Sequence, residues 1–460
     1  MRHPFVSLPR TQRLLARAGR GSSFVLACAL AFNGAVPPAV PPAVPPAVPQ
    51  LRAQEMPPSA AQFNPATKPL AGAAAGTATP IVSTPVRTVK VDTFEAGLLG
   101  WAGYKFGPAG YSADLEARVG VTDKAAQIKN GKGSLYYIYN VAPKTIGLLS
   151  LERPLELQGM ESINFSLKVD APTIMAFALR EKGGARYDTY FYCQANTWQD
   201  IAIDLDSLRL AADSPDDNSR LDLDQVTGIY LADAAGMFIE ASSGQDGTRI
   251  LWLDDVEYSS KRVVPKNMAL APPGAGAPIV IDSFEAGTIR WIPLLLQIQP
   301  SLKIDIANGD LKLDRQTAND SGAKSLKATY KREKNAAPVW LHSLESIKLS
   351  GAQSLDLALR TAADGVFLVS LKEKDESRYE QVVELKAEDG WKKFSWPLAS
   401  FKLAGDSRDE NDRLDINNVE EITIADLTAV LPQELGKGPL GETALWIDEV
   451  QFGRASAAAK

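Results

Sequence analysis

Val91-Asp92-Thr93-Phe94-Glu95-Ala96-Gly97 returns almost unchanged as Ile281-Asp282-Ser283-Phe284-Glu285-Ala286-Gly287, at a shift of 281 − 91 = 190 residues. A second stretch, Leu251-Trp252-Leu253-Asp254-Asp255-Val256, returns as Leu445-Trp446-Ile447-Asp448-Glu449-Val450, at a shift of 445 − 251 = 194 residues. Two long matches at nearly one shift indicate an internal repeat, which takes precedence over any single-domain interpretation. The chain therefore contains two copies of one module, each opened and closed by these stretches.

The repeat divides the 460 residues into six segments. Each module is long enough to bury a core of its own. The sequence predicts an export signal at 1–35, a disordered linker rich in Pro and Ala at 36–88, domain 1 at 89–260, a second linker at 261–277, domain 2 at 278–453 and a disordered tail at 454–460.

Composition excludes several classes of function. The chain has 55 Asp and Glu against 49 Lys and Arg, whereas a nucleic-acid-binding surface needs concentrated positive charge. Only two Cys and two His occur, which disfavours zinc clusters, Cys-His nucleophilic pairs and a disulfide framework. We therefore expect no nucleic-acid partner, and catalysis has little support.

The first 20 residues contain five Arg and no acidic residue, and a short apolar run follows at 23–32. This order is typical of an export signal, and the run is too short for a stable membrane span. We expect a periplasmic, cell-surface or secreted protein. Lipidation at Cys28 and a disordered cytoplasmic tail remain as alternatives. The linker at 36–88 has too few large apolar residues to repay the entropy of ordering.

Within the modules the apolar residues alternate with polar ones. Ile163, Phe165, Leu167 and Val169 alternate with polar residues in the first copy, and Leu355, Leu357 and Leu359 do so in the second. This period of two is typical of strands with one buried face, and neither copy contains a convincing amphipathic helix. The sequence predicts an all-β fold of two tandem antiparallel β-sandwiches whose first and last strands lie side by side.

The opening Asp-x-Phe-Glu-x-Gly, a Trp before the middle strand and the closing Trp-Leu/Ile-Asp-Asp/Glu-Val resemble the galactose-binding-like jelly rolls, in particular family 11 carbohydrate-binding modules and complex I intermediate-associated proteins. The resemblance implies a structural calcium ion where the opening and closing strands meet. Its ligands would be Asp92, Glu95 and Asp254 in the first copy and Asp282, Glu285 and Asp448 in the second. The alternative is that these acids accept backbone hydrogen bonds in turns. The Asp-rich loops around Asp216 and Asp409 match no established metal-binding motif and are interpreted as solvated turns, with cation binding as the alternative.

Sugar binding needs aromatic faces and a few polar groups on one side of a sheet. Ten of the twelve Tyr lie in the first copy, so we expect any glycan to bind there. The candidate ligand-binding residues are Tyr136, Tyr187, Tyr190 and Tyr192. Alternation places Tyr187 opposite to Tyr190 and Tyr192, so part of this set must be core or outer surface.

These features predict an exported, non-catalytic protein that binds a polysaccharide or cell-envelope glycan through domain 1. The rival hypothesis is a structural or adaptor protein of the envelope that binds protein partners. Tyr136, Tyr190 and Tyr192 clustered on one concave face would favour the glycan, whereas burial of those rings would favour the adaptor. A glycan-processing enzyme would need two carboxylates facing each other across the same cleft.

Overall fold

The structure is a computed structural model of the chain. It describes residues 85–107, 110–112, 118–211, 214–237, 246–263, 276–285, 288–297, 303–307, 309–319, 322–344, 347–405, 407–431 and 438–454. The predicted export signal, Cys28 and most of both predicted linkers therefore lie outside the described residues. The structure describes no helix long and apolar enough to cross a membrane.

The first copy forms thirteen described strands. They are β1 (Thr88–Asp92), β2 (Trp101–Gly107), β3 (Gly110–Ser112), β4 (Arg118–Thr122), β5 (Ser134–Val141), β6 (Ile146–Glu152), β7 (Ser162–Val169), β8 (Thr173–Glu181), β9 (Arg186–Cys193), β10 (Gln199–Asp204), β11 (Arg209–Leu210), β12 (Val226–Asp233) and β13 (Gly247–Ser259). Sheet A has the order β10-β7-β13-β5-β4, with β1 also paired to β13, and sheet B has the order β11-β9-β8-β12-β6-β2-β3. We call sheets A and B the first sandwich.

The second copy repeats this arrangement. Its strands are β14 (Ile279–Asp282), β15 (Ile292–Gln297), β16 (Lys303–Ile306), β17 (Asp310–Asp314), β18 (Ser325–Arg332), β19 (Ala336–Ser343), β20 (Ala352–Thr361), β21 (Gly365–Glu373), β22 (Arg378–Leu385), β23 (Lys392–Pro397), β24 (Lys402–Leu403), β25 (Val419–Asp426) and β26 (Gly441–Arg454). Sheet C has the order β17-β18-β26-β20-β23, with β14 on β26, and sheet D has the order β16-β15-β19-β25-β21-β22-β24. Sheets C and D form the second sandwich.

Helical structure in the described residues is limited to single 3-10 turns. They are Ala125–Gln127, Leu205–Ser207, Ala235–Met237, Ala387–Asp389, Leu398–Ser400 and Ile416–Asn418. All strand pairs within the four sheets are antiparallel, and the opening strand pairs with the closing strand in each copy, with Val89 opposite Tyr258 and Val280 opposite Gln451. The all-β fold of two tandem antiparallel sandwiches is confirmed.

The cores follow from the alternation that the sequence predicted. Ile163, Phe165, Leu167 and Val169 are buried between sheets A and B, and Leu355, Leu357 and Leu359 are buried between sheets C and D. Packing of this kind supplies most of the stabilisation of a sandwich, because each side chain removed from water contributes about 1.5–3 kcal/mol. The free thiol of Cys193 is also buried, and burial raises its pKa well above its ordinary value.

Candidate functional site

The outer face of sheet B carries a row of apolar side chains that do not belong to the core. Met175, Phe177 and Leu179 of β8 point into the core, so Ala176 and Ala178 point outward. Ala176 lies opposite Tyr190 of β9, and Ala178 lies opposite Tyr230 of β12. Small residues on β8 therefore leave room for a ring on each neighbouring strand.

A third tyrosine stands at the other end of the same row. Tyr104 of β2 lies opposite Leu148, which lies opposite Ala232. Ala232 in turn lies opposite Ala176. Tyr104 and Tyr190 are thus separated by four strand spacings, roughly 19 Å, with small and aliphatic residues between them. Tyr104, Tyr190 and Tyr230 together are called the tyrosine face.

The buried residues of this face form a cluster distinct from the core between the sheets, although Tyr190 and Met237 also pack against that core. Its buried members are Ile146, Leu148, Ala176, Ala178, Tyr230 and Ala232, with Tyr104, Tyr190 and Met237 packed against them and partly exposed. A partly exposed apolar surface with tyrosines at its edges offers ring faces and hydroxyl groups to the same ligand.

Polar side chains adjoin Tyr230. Its hydroxyl donates a hydrogen bond to Glu152 Oε1, and a guanidinium nitrogen of Arg180 lies 3.5 Å from Glu152 Oε2. The Arg180 guanidinium lies 6.0 Å from the centre of the Tyr230 ring, while its Nε is buried without a hydrogen-bond partner. Burial and the Glu152 carboxylate raise the pKa of Tyr230, so its hydroxyl stays protonated and donates.

A glycine makes this arrangement possible. A Cβ at Gly228 would lie 3.0 Å from the Tyr230 ring and 3.3 Å from Glu152 Oε2. Glu152 and Arg180 remain partly open to solvent, with 44% and 37% of their side chains exposed. They can therefore meet ligand hydroxyl groups beside the tyrosine ring.

The structure corrects the predicted set of ligand-binding tyrosines. Only Tyr190 lies on the tyrosine face. Tyr136 belongs to β5 of sheet A, where its ring covers Gly120 on the outer face of the opposite sheet. Tyr187 is buried between the sheets and donates its hydroxyl to Asp216 Oδ2 at 2.8 Å. The four residues therefore do not form one site.

Alternation places Tyr192 on the same side of β9 as Tyr190, but the Tyr192 ring is not available to a ligand. It lies opposite Ile174, and the two residues are 1% and 0% exposed. The backbone N–H of Tyr192 donates to the carbonyl oxygen of Ile289 in the second sandwich at 2.9 Å. The second sandwich thus packs beside Tyr192, and burial raises the pKa of its hydroxyl.

Sequence reasoning missed Tyr104, Tyr230, Arg180 and Glu152. Tyr230 lies between Ile229 and Leu231 of β12, which both point into the core. This alternation could have predicted that the Tyr230 ring points to the outer face of the sheet. The residues that share a row on the outer face depend on the order of the strands in the sheet. That order, β9-β8-β12-β6-β2, differs from the order of the strands in the chain.

The second sandwich has a different outer face on sheet D. The counterparts of Tyr190 and Tyr230 are Val382, opposite Leu368, and Thr423, opposite Ser370. Leu294 takes the place of Tyr104, opposite Val339. Within the described part of the second sandwich, the tyrosines Tyr330 and Tyr379 are both buried. The duplicated fold thus carries the tyrosine face in one copy only.

The acids expected to bind calcium are engaged in hydrogen bonds that are repeated in both copies. Asp92 accepts from the Phe94 N–H at 2.8 Å and from Trp101 Nε1 at 3.1 Å. Asp282 accepts from the Phe284 N–H at 2.7 Å and from Trp291 Nε1 at 3.2 Å. Each carboxylate therefore ties its opening turn to the following tryptophan, as in the hydrogen-bond alternative.

Asp254 and Asp448 lie on the closing strands, β13 and β26, and each accepts hydrogen bonds from a neighbouring turn. Asp254 accepts from the backbone N–H groups of Lys129 and Asn130, both at 3.1 Å, and from Ser134 Oγ at 2.8 Å. Asp448 accepts from the Asn319 N–H at 3.1 Å. Burial raises the pKa of Asp448 to about 6.

The two glutamates also accept backbone donors. Glu95 Oε1 accepts from the Lys132 N–H at 2.7 Å, and Glu285 Oε1 accepts from the Ala323 and Lys324 N–H groups at 2.8 and 2.9 Å. None of the six acids belongs to a set of three carboxylates whose oxygens lie within 4.8 Å of one another; among the described residues only Glu373, Asp375 and Asp409 form such a set. Calcium bound by the six acids stays a prediction.

Comparison with known proteins gives matches among solved structures only. No protein-family model matches the sequence, and no curated protein matches it. Among solved structures, a family 11 carbohydrate-binding module from Clostridium thermocellum in complex with a β-1,3-1,4-mixed-linked tetrasaccharide is 19% identical, covers 38% of this chain and 96% of its own, and has a TM-score of 0.29. The CBM22-1-CBM22-2 tandem domain from Paenibacillus barcinonensis Xyn10C is 14% identical, covers 80% of this chain and 96% of its own, and has a TM-score of 0.26.

Proposed function

We propose that this protein is an exported, non-catalytic carbohydrate-binding protein that holds a glycan on the tyrosine face of its first sandwich. The supporting observation is the row from Tyr104 to Tyr190 on the outer face of sheet B, with Tyr230, Arg180 and Glu152 beside it. The second sandwich has Val382, Thr423 and Leu294 in the equivalent places and so no aromatic ring there, and it is not proposed to bind glycan.

Binding would combine stacking with hydrogen bonds. The apolar face of a sugar ring can stack on Tyr104 or Tyr190, because both rings are partly exposed against an apolar floor. Arg180 donates and Glu152 accepts, so the pair can hold neighbouring hydroxyl groups of one sugar. The separation of Tyr104 and Tyr190 suits a chain of several sugars better than a single ring.

The placement of carboxylates supports binding without cleavage. Glycoside hydrolysis uses two carboxyl groups roughly 5–9.5 Å apart on either side of the scissile bond. Among the described residues on this face, Glu152 lies on β6 and Asp188 on β9, three strands away in sheet B. Three strand spacings are roughly 14 Å, which is too far for this chemistry.

Export is proposed from the sequence of 1–35, where five Arg precede a short apolar run. A glycan-binding face is useful where polysaccharide is present, which for most cells is outside the cytoplasm.

Affinity electrophoresis of the whole chain in gels that contain neutral or acidic polysaccharides tests the proposal. We expect at least one polysaccharide to retard the protein, and Tyr190→Ala or Tyr104→Ala to weaken binding roughly tenfold, equivalent to about 1.4 kcal/mol. Tyr136→Ala is the matched control, because this tyrosine is also partly exposed but lies on sheet A. Absence of retardation by every polysaccharide, or an equal loss in Tyr136→Ala, would contradict the proposal.

A further inference from the structure

The two sandwiches are joined by a loop of the second that enters an edge of the first. Thr288 Oγ1 accepts from the Ala202 N–H at 3.1 Å and donates to the Ala202 carbonyl at 2.8 Å. The Ile289 carbonyl accepts from the Tyr192 N–H at 2.9 Å, and an Arg290 guanidinium nitrogen donates to Ser207 Oγ at 2.9 Å. The junction loop, Thr288–Arg290, thus lies between β9 and β10, which belong to different sheets.

This contact seals the edge of the first sandwich. Thr288 and Ile289 are 7% and 8% exposed, and Tyr192 is 1% exposed. Ile201 and Ile203 of the edge strand β10 are also fully buried. The loop therefore occupies a socket formed by Tyr192, Ala202 and Ser207 of the first sandwich.

The second sandwich has the same socket, but it is open. The repeat shifts of 192 and 193 residues place Glu384, Ser395 and Ser400 at the positions of Tyr192, Ala202 and Ser207. Glu384 and Ser395 are exposed, and Ser400 is partly exposed. Phe394 and Trp396 replace the two isoleucines, and their stacked rings, 4.7 Å apart, are only partly buried.

The first sandwich, in turn, has an unused junction loop. The shift of 190 residues that aligns Trp101 with Trp291 places Leu98, Leu99 and Gly100 at the positions of Thr288, Ile289 and Arg290. Leu99 is 50% exposed, whereas Ile289 is 8% exposed. One chain therefore presents an open socket on the second sandwich and a free loop on the first.

We propose that copies of this chain associate head to tail, with the loop Leu98–Gly100 of one copy in the socket between β22 and β23 of another. Such a contact joins two different surfaces, so it can close into a ring or continue as a chain of copies. The occupant is inferred from the junction within the chain, where the equivalent loop fills the equivalent socket.

Some of the hydrogen bonds of the junction within the chain can also form between two copies. The bond between Tyr192 and Ile289 joins backbone atoms, so it does not require those side chains. Leu99 and Gly100 have φ of 43° and 99°, whereas Ile289 and Arg290 do not have positive φ, so the loop Leu98–Gly100 must change conformation to form it. Leu98 lacks the hydroxyl of Thr288, and Gly100 lacks the guanidinium of Arg290. The contact between copies is therefore weaker than the junction within the chain, and association should depend on concentration.

The same register identifies the charged residues that would meet between copies. In the junction, Gln194 Nε2 donates to Asp310 of β17, and the Asp310 charge contributes to the raised pKa of Tyr192. Arg118 of β4 pairs with Ile138, and Asp310 of β17 pairs with Thr329. Ile138 and Thr329 occupy equivalent positions in the two copies, so Arg118 is the counterpart of Asp310. Arg118 of one copy would thus lie near Glu384 and also near Lys386, which stands at the position of Gln194, so it would meet one opposite and one like charge.

Sedimentation velocity of the whole chain at increasing concentration, at low salt and without glycan, tests the proposal. We expect the weight-average mass to rise with concentration, and Leu99→Asp to keep the protein monomeric. Leu440→Asp is the control, because Leu440 is 57% exposed and lies outside the loop and the socket. A monomer at all concentrations, or equal dissociation by both substitutions, would overturn the proposal.

A charge exchange then tests the register of the contact. Glu384→Arg should weaken association at least severalfold, because Arg118 would then meet two positive charges, and the addition of Arg118→Glu should recover it. Circular dichroism checks that each variant is folded, which we expect because both side chains are exposed. Failure of the double variant to recover association would show that these residues do not meet.

Discussion

His342 is the only histidine among the described residues, and it is buried without a partner for Nε2. Its Nδ1 lies 2.8 Å from the Ser343 carbonyl oxygen, and its ring packs edge-on against Trp291 at 5.2 Å. Burial and the positive charge of Arg290 lower the pKa of His342 to about 4. The folded protein therefore holds this imidazole neutral at neutral pH.

This residue makes stability depend on pH. Between the ordinary pKa of 6.5 and the folded pKa of about 4, the unfolded chain binds the proton more tightly, so stability falls as pH falls through this window. The contribution lost between pH 7 and pH 4 is about 3 kcal/mol. Urea unfolding should show a smaller decline for His342→Phe than for the unsubstituted protein. Parallel curves for the two proteins would refute the assignment.

At the scale of strands, each sandwich contains a buried aspartate that ties several elements together. Asp233 of β12 accepts from Tyr139 of β5 at 2.5 Å and also from Thr173 of β8, and Arg249 of β13 lies 3.6 Å away. Asp426 of β25 accepts from Tyr330 at 2.5 Å and from Arg332 Nε at 2.7 Å. The aspartate and tyrosine recur at equivalent positions, but the arginine comes from different strands, β13 in one copy and β18 in the other.

Removal of this aspartate should be costly, because a buried arginine loses its carboxylate partner. We expect Asp233→Ala to lower the free energy of unfolding by about 3–5 kcal/mol. Asp200→Ala removes a carboxylate that is 73% exposed and paired with Lys129 at 2.9 Å. This control should cost at most about 1 kcal/mol. Equal losses in chemical denaturation would argue against the role of the buried network.

At the scale of the whole molecule, the described residues 87–454 belong to one compact unit. Buried residues of both sandwiches form one continuous apolar cluster, which includes Tyr192 and Ile289 at the junction. A shared core couples the unfolding of two elements, because neither can open without exposing apolar surface of the other. We therefore expect the two sandwiches to unfold together.

Ile289→Asp should separate the two unfolding events, since it places a charge in the buried junction. Differential scanning calorimetry should then show two transitions in place of one. Leu99→Asp is the matched control, because the equivalent residue is exposed and its substitution should leave the transition unchanged at low protein concentration. A single unaltered transition for Ile289→Asp would contradict this coupling.

The sequence alone was sufficient for the duplication, the strand period and the pairing of opening with closing strands. These properties are local or are repeated in the chain, so they do not depend on how distant strands meet. The bonds of Asp92 and Asp282 are also partly local, because each accepts from the N–H two residues later.

Only the tertiary structure decided which tyrosines can meet a ligand. Alternation assigns a side chain to one side of its own strand, but it does not say which sheet contains the strand or what covers that side. Tyr136 is therefore on sheet A, away from Tyr190, and Tyr192 is covered where the second sandwich docks. Tyr104, Tyr190 and Tyr230 share one face because contacts between residues far apart in the chain place β2, β9 and β12 in the same sheet.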